Sequence, residues 1–283
     1  MPHDEASRCL RRRFITASRQ TVRLLGIKPH IDDIRVALPA AILTVAVFVF
    51  VYWLFVRFVE RRPRCDEFAM NGWLRELGAG MTIGAVSFSI VIGIIAAFGG
   101  YRVTGVNPAT VVLPVIVISL KSGVIEEIIT RGIFFRIMER WLGSWAAILL
   151  SSALFGAGHW ANPNATWWST IAVGVEGGLV SAALYMLTRR LWGVIGEHFA
   201  WNFTQGGIFG APISGYAISG VLLPHIAGTN ALTGGAFGVE ASVPGLIVEV
   251  MLGVGLLVIA LRRGRFVRLS RDHQDGDQPI AAS

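Results

Sequence analysis

The sequence predicts an all-α integral membrane protein, a polytopic bundle of about seven to eight transmembrane helices with its functional site inside the bundle. Composition is the first observation behind this prediction: of 283 residues, 53% are hydrophobic and only 15% are charged. Soluble domains carry about 25% charged residues. The second observation is a series of uncharged runs that approach the roughly 20 apolar residues needed to cross a bilayer. The third is that short polar clusters, at 126–131, 155–159 and 198–202, interrupt these runs.

The first two predicted spans flank a basic connection. Uncharged stretches predict helices at about 36–59 and 77–99, and the segment 57–75 between them is rich in arginine. A proline disfavours helical conformation in the residue before it, so the Arg62-Pro63 pair marks the exit from the first span.

The remaining spans carry the polar clusters and the loops between them. The Asn162-Pro163 pair marks a loop, and Arg189-Arg190 ends the span that follows it. A glycine-rich outer or re-entrant loop is expected at 204–242. The predicted spans run over about 109–141, 144–160, 167–188, 191–202 and 244–261.

The chain divides into three regions by composition. Residues 1–35 form a basic N-terminal segment, amphipathic or disordered, residues 36–261 form the transmembrane domain, and residues 262–283 form a polar tail. Lysine and arginine concentrate in cytoplasmic loops. This bias predicts that four segments lie on the cytoplasmic side: the loop 57–75, the turn with Arg136 and Arg140, Arg189-Arg190, and the tail. The basic N-terminus conflicts with seven full crossings, so the span count and the side of the N-terminus stay open.

The positive charge indicates lipid contact and not nucleic-acid binding. The net charge is +7 and the sequence pI is about 10.2, but the arginines lie beside hydrophobic spans, where they orient the protein and contact anionic lipid. We expect a multi-pass protein of the plasma (inner) membrane. Cys9 and Cys65 lie in arginine-rich segments predicted to be cytoplasmic, where reducing conditions keep thiols free.

The first polar cluster combines two glutamates and an arginine. Glu127 and Arg131 are four residues apart with the glutamate first, so they can form an ion pair on one helix face. Glu126 projects about 100° away around the helix and is free to face a cavity and act as a base. A purely structural ion pair is the alternative.

The other two clusters add imidazole and amide groups. His159 lies near the end of its span, where it could help Glu126 to activate water. His198 and Asn202 are four residues apart and share a helix face, so both can stabilise a developing oxyanion. Hydrogen bonding between helices is the structural alternative for both clusters.

These residue types also permit a metal without requiring one. Glu126, His159 and His198 supply a carboxylate and two imidazoles, which suit a divalent ion such as Zn²⁺. The zinc-protease pattern of two histidines around a glutamate is absent from the sequence, as is a phosphate-binding loop. Glu126 and His159 could equally activate water alone.

Three further glutamates fall at membrane depth. Glu176 lies near the middle of its span and either joins the polar cavity or pairs with Lys121. Glu249 lies in the first turns of the last span, which predicts an interfacial position. Glu197 is expected to face away from His198 and Asn202 and to be peripheral.

The ordered set Glu-Glu-x-x-x-Arg, Phe-x-x-x-His and His-x-x-x-Asn, each on a separate hydrophobic span, resembles the CPBP family of CAAX proteases and bacteriocin-processing enzymes, also called the Abi family. The resemblance covers about a dozen positions between 126 and 202 and includes every motif position. It implies an all-helical membrane endopeptidase, named a metalloprotease, that cuts peptide bonds near the membrane. Eukaryotic relatives remove three residues after a prenylated cysteine.

The resemblance also implies a role for each motif residue. Glu126 and His159 would activate the attacking water, and His198 with Asn202 would form the oxyanion site. Glu127 and Arg131 would orient the first pair. The expected partners are membrane lipids and a peptide or protein substrate, lipidated or membrane-associated, whose identity the sequence does not reveal.

Two functions of other classes fit the same polar residues. Chains of glutamate and histidine at membrane depth relay protons in transporters, but the inverted repeats typical of transporters are not found in the sequence. A non-enzymatic scaffold or immunity protein with the same fold is the other alternative, and the intact set of six motif residues argues against it.

Overall fold

The computed structural model describes residues 34–268. The predicted N-terminal segment and most of the polar tail lie outside the described residues. Within this range the protein is mostly helical, with a small two-stranded sheet.

The long helices follow the apolar runs. The first, α1, spans Ile34–Leu54 and continues as a π-helical stretch, Phe55–Val59, while α2 spans Trp73–Ala97. The helix α5 spans Trp167–Thr188, and α8 spans Val243–Arg262. Both have hydroxyl caps at their start, where Thr166 and Ser242 accept hydrogen bonds from backbone N–H groups that would otherwise lack a partner.

The helices that carry the polar clusters are shorter or interrupted. Helix α3 spans Val112–Glu127 and continues as the π-helical stretch Ile128–Phe135. Helix α4 spans Arg136–Gly158 and is kinked at Gly143, whose φ is 78°. Helix α6 spans only Trp192–Asn202 before the π-helical stretch Phe203–Ile208. Wide helical turns of this kind often occur at functional sites.

The predicted count of seven to eight transmembrane helices is not supported. Among residues 34–268, four helices are long and apolar enough to cross a membrane: 34–59, 73–97, 167–188 and 243–262. The helices α3, α4 and α6 are not among these four by length and composition, because α3 ends at two glutamates, α4 is interrupted at Gly143 and α6 has only 11 residues. The chain is an integral membrane protein in which the polar helices pack among the apolar ones.

The glycine-rich region contributes the sheet that the all-α prediction did not include. Strand β1, Tyr101–Val106, pairs antiparallel with β2, Leu222–Ile226, so that Tyr101 lies opposite Ile226. A short helix, α7, spans Asn230–Thr233. The expected loop is therefore partly ordered by pairing with the segment after α2.

The arginine-rich connections meet at one end of the bundle. Arg136 Nη2 donates to Glu60 Oε1 at 2.7 Å, and the backbone N–H of Leu191 donates to Glu67 at 2.9 Å. Arg189 bonds both Glu139 and the carbonyl of Arg265. Because these contacts join all four basic connections, the structure agrees with their predicted placement on a common side.

Close packing of α2 against α6 sets the position of the third motif. A Cβ atom built on Gly80 would lie 1.9 Å from the carbonyl oxygen of Gly193, and one on Gly84 would lie 2.2 Å from that of Glu197. Only glycine permits backbones to approach so closely. His198, the residue after Glu197, is therefore held at a fixed depth against α2.

Candidate active site

The Glu127 carboxylate joins the first and third motifs. Its side chain is 0% exposed, and its Oε1 atom accepts hydrogen bonds from Arg131 Nη1 at 3.1 Å and from His198 Nδ1 at 2.9 Å. The predicted Glu127–Arg131 pair is confirmed. The additional bond to His198, from another helix, could not be read from spacing.

Arg131 ties three helices together around this carboxylate. Its Nη2 atom donates to the carbonyl of Gly177 on α5 at 2.6 Å, and its Nη1 atom donates to Thr130 Oγ1 at 2.8 Å. The guanidinium also lies 4.9 Å from the centre of the Phe155 ring on α4. Removing the Arg131 charge would therefore leave Glu127 without its guanidinium partner and loosen the packing of α4 and α5.

Phe155 is a site residue whose role the sequence reasoning missed. Besides stacking under Arg131, its ring contacts both imidazoles, with centroid distances of 4.9 Å to His159 and 5.9 Å to His198. Its carbonyl oxygen lies 2.8 Å from His159 Nδ1. The Phe-x-x-x-His spacing was the available signal, since it places the carbonyl of Phe155 one turn before the histidine.

The carbonyl of Phe155 sets the tautomer of His159. A carbonyl oxygen only accepts, so Nδ1 carries the proton, and in the neutral ring Nε2 presents a lone pair. Nε2 lies 4.0 Å from Glu126 Oε2. This separation is too long for a direct hydrogen bond, but one water molecule can reach both acceptors at ~2.8 Å each. The pair is thus suited to binding a water molecule and taking its proton.

His198 and Asn202 present one donor each to the same space. Because His198 Nδ1 is bonded to Glu127, its Nε2 atom faces the site and can donate only when the ring is protonated, a state that the Glu127 carboxylate favours. Asn202 Nδ2 donates one hydrogen to Ser122 Oγ at 3.0 Å and retains another.

A narrow cavity of about 50 Å³ connects these groups. His159, His198 and Asn202 line one part of it, and Glu126 sits beside His159 with a side chain 36% exposed. The volume suffices for a few water molecules but not for a peptide. The structure therefore brings together all the motif residues, because Glu126 lies beside His159, and Glu127 bonds both Arg131 and His198.

Three glutamates outside the six motif residues also line the cavity. Glu249, expected at an interfacial position, is 2% exposed and lines the cavity. Glu197, expected to be peripheral, also lines the cavity. Of the two alternatives for Glu176, the structure favours the first, because this side chain faces the cavity.

The residues suggested as metal ligands do not form a metal site in this arrangement. Within residues 34–268 no three His, Cys, Asp or Glu side chains are grouped as a metal would require. His159 and His198 each keep Nε2 free and have Nδ1 held by a neighbour, as metal-binding histidines do. Glu126, His159 and His198 are nevertheless not grouped closely enough to hold one ion together.

Comparison with known proteins supports the family resemblance. Residues 108–204 match the family model for type II CAAX prenyl endopeptidase, Rce1-like, and this match covers about a third of the chain. No curated protein and no solved structure gives a significant match. The segment that contains all six motif residues thus matches the Rce1-like family, which confirms the resemblance seen in the sequence.

Proposed function

We propose that this protein is an intramembrane endopeptidase of the CAAX-protease type that hydrolyses a peptide bond at or in the plasma (inner) membrane. The observation that carries the proposal is that His159, His198 and Asn202 line one cavity, with Glu126 beside His159, in the segment that matches the endopeptidase family. The substrate is a membrane-associated or lipidated peptide or protein that enters from the lipid or from the arginine-rich end.

Glu126 and His159 activate the attacking water molecule. A water molecule bound between Glu126 Oε2 and His159 Nε2 attacks the scissile carbonyl carbon, and Glu126 accepts a proton from it. The electron pair of the C=O double bond moves to oxygen. When the tetrahedral intermediate collapses, the C–N bond breaks and the leaving nitrogen takes the proton back from Glu126.

Stabilisation of the oxyanion falls to His198 and Asn202. The protonated His198 donates through Nε2, and Asn202 donates through its remaining amide hydrogen. Both donors are fixed in place before the reaction by Glu127 and Ser122, and donors preorganised away from bulk water stabilise developing charge most strongly. Substrate entry requires the cavity to widen, because a peptide does not fit in its present volume.

A divalent metal stays a separate proposal. If Glu126, His159 and His198 moved together, they could hold an ion that would polarise the carbonyl. Metal analysis of the purified protein, with activity measured before and after chelation, decides this. Unchanged activity in metal-free protein would remove the metal from the mechanism and leave the proposed hydrolysis standing.

The Glu126→Gln variant tests the proposed function. We expect it to insert and fold normally while losing ~10²–10⁴-fold in cleavage rate, the usual contribution of a general base. Membrane proteomics of cells with the wild type or this variant should reveal peptides whose cleavage disappears. Asp66→Asn also exchanges a carboxylate for an amide, but at an exposed position. It is the matched control and should cleave like the wild type.

A further inference from the structure

Four buried glutamates line the part of the cavity that the proposed hydrolysis does not use. They come from α5, α6, the turn before α8, and α8 itself, and they are Glu176, Glu197, Glu240 and Glu249. None is more than 6% exposed. Glu197 immediately precedes His198, so the acidic part of the cavity is continuous with the proposed oxyanion site.

Two of these carboxyl groups each have one oxygen atom without a hydrogen-bond partner. Glu176 is 3% and Glu249 is 2% exposed, and the Oε1 atom of each has no hydrogen-bond partner. The other two are partly satisfied: Glu197 Oε2 accepts from Ser181 at 3.4 Å, and Glu240 accepts from Gln205 and from the backbone of Ser214. No lysine or arginine is among the cavity-lining residues of the described chain.

Such an arrangement favours a cationic ligand. A buried carboxylate without a partner is costly, and a cation placed among several of them offsets that cost. The carboxylates are not grouped tightly enough to surround a metal ion. An ammonium or guanidinium group suits them better, since its three or five N–H donors reach acceptors that lie further apart.

We propose that this acidic part of the cavity binds the side chain of a lysine or arginine in the substrate, close to the bond that is cut. The site would select peptides with a basic residue within a few positions of the scissile bond, because a carbonyl held by His198 and Asn202 places a neighbouring side chain among the glutamates. This inference rests on the proposed function, as it assigns the specificity of the same cavity.

A peptide library tests the inference with the intact protein in lipid nanodiscs. Peptides randomised around a central bond are incubated with the wild type, and the cleaved products are sequenced by mass spectrometry. We expect lysine or arginine at one position near the cut. Cleavage without any basic preference would overturn the inference while leaving the proposed function intact, whereas cleavage of no peptide would overturn both.

A matched set of three peptides then assigns the preference to the charge of the basic side chain. The best lysine peptide is compared with a version that carries norleucine, which is nearly as long but uncharged, and with one that carries acetyl-lysine, which is longer and uncharged. In the wild type, kcat/KM should fall by about tenfold or more for both, as expected when a buried charge loses its partner. Because only the substrate changes, this comparison does not depend on how a protein variant folds.

The Glu176→Gln and Glu249→Gln variants complete the test. Their ratio of kcat/KM for the lysine and norleucine peptides should approach one, while the Asp66→Asn control should keep the wild-type ratio. The two substitutions are also combined in one double variant. If this variant folds and keeps the wild-type ratio of kcat/KM for the two peptides, the assignment to Glu176 and Glu249 is contradicted.

Discussion

His198 Nδ1 lies 2.9 Å from Glu127 Oε1, the oxygen that also accepts from Arg131. The buried carboxylate therefore accepts from a permanent cation, the guanidinium, and from an imidazole that is cationic in the proposed mechanism. This relationship gives Glu127 a different task from its neighbour Glu126. In the proposed mechanism, Glu126 acts on water beside His159, whereas Glu127 orients His198 and favours its charge.

Exchanging each glutamate separately should distinguish these tasks. Glu127→Gln leaves Arg131 buried without a counter-charge, which is expected to cost about 3–5 kcal/mol of stability, and it also removes the charge that favours protonated His198. Glu126→Gln should lose activity alone. Thermal unfolding in detergent together with the peptide assay measures both effects. Equal stability of the two variants would contradict the structural part of the Glu127 assignment.

Asn202 and Ser122 should show graded effects on the chemical step. Asn202→Ala removes a proposed oxyanion donor, so kcat is expected to fall by ~10²–10³-fold with little change in KM. Ser122→Ala removes only the acceptor that orients the amide, and its effect on kcat should be much smaller. Steady-state kinetics with one peptide measures both. If Ser122→Ala were as damaging as Asn202→Ala, the amide would not be the donor.

The contact between α2 and α6 predicts a sharp difference between two glycines of one helix. Gly84→Ala places a Cβ 2.2 Å from the carbonyl of Glu197, whereas Gly93→Ala meets nothing within 4 Å. The first substitution should cost about 1–3 kcal/mol through overpacking and reduce activity by displacing His198. The second should be neutral or slightly stabilising, because alanine favours helix more than glycine. Melting temperatures and activities of the two variants test this difference. Equal values for both variants would contradict the prediction.

Cys65 provides a test of the arginine-rich end of the bundle. Burial, with the negative charge of Glu67, raises the pKa of the Cys65 thiol to about 11. Only the thiolate reacts with maleimide, so at pH 8 alkylation should be about two orders of magnitude slower than for a free thiol, and it should accelerate as pH rises towards 11. Mass spectrometry of a Cys9→Ser variant follows the reaction. The same variant unfolded in denaturant is the control, and equal rates in both states would contradict the described environment.

Local patterns in the sequence account for much of the fold and part of the site. The apolar runs set the helices α1, α2, α5 and α8 within a few residues, because burial in lipid requires an unbroken apolar helix. The four-residue spacing of Glu127 and Arg131 predicted their ion pair, since residues at that separation share a helix face. The number of crossings could not be predicted in the same way, because α3 ends in a charged cluster, α4 is interrupted at Gly143 and α6 has only 11 residues.

The amino-acid sequence by itself determined which side chains are available for chemistry and which of them share a helix face. Only the tertiary structure decided that Glu127 bonds His198, that Phe155 touches both histidines, and that Glu176, Glu197 and Glu249 enter one cavity. The physical reason is that helical periodicity acts over a few residues, whereas contact between helices depends on close packing at distant glycines such as Gly84. Charge at membrane depth indicates that an interior site exists, and packing determines its shape.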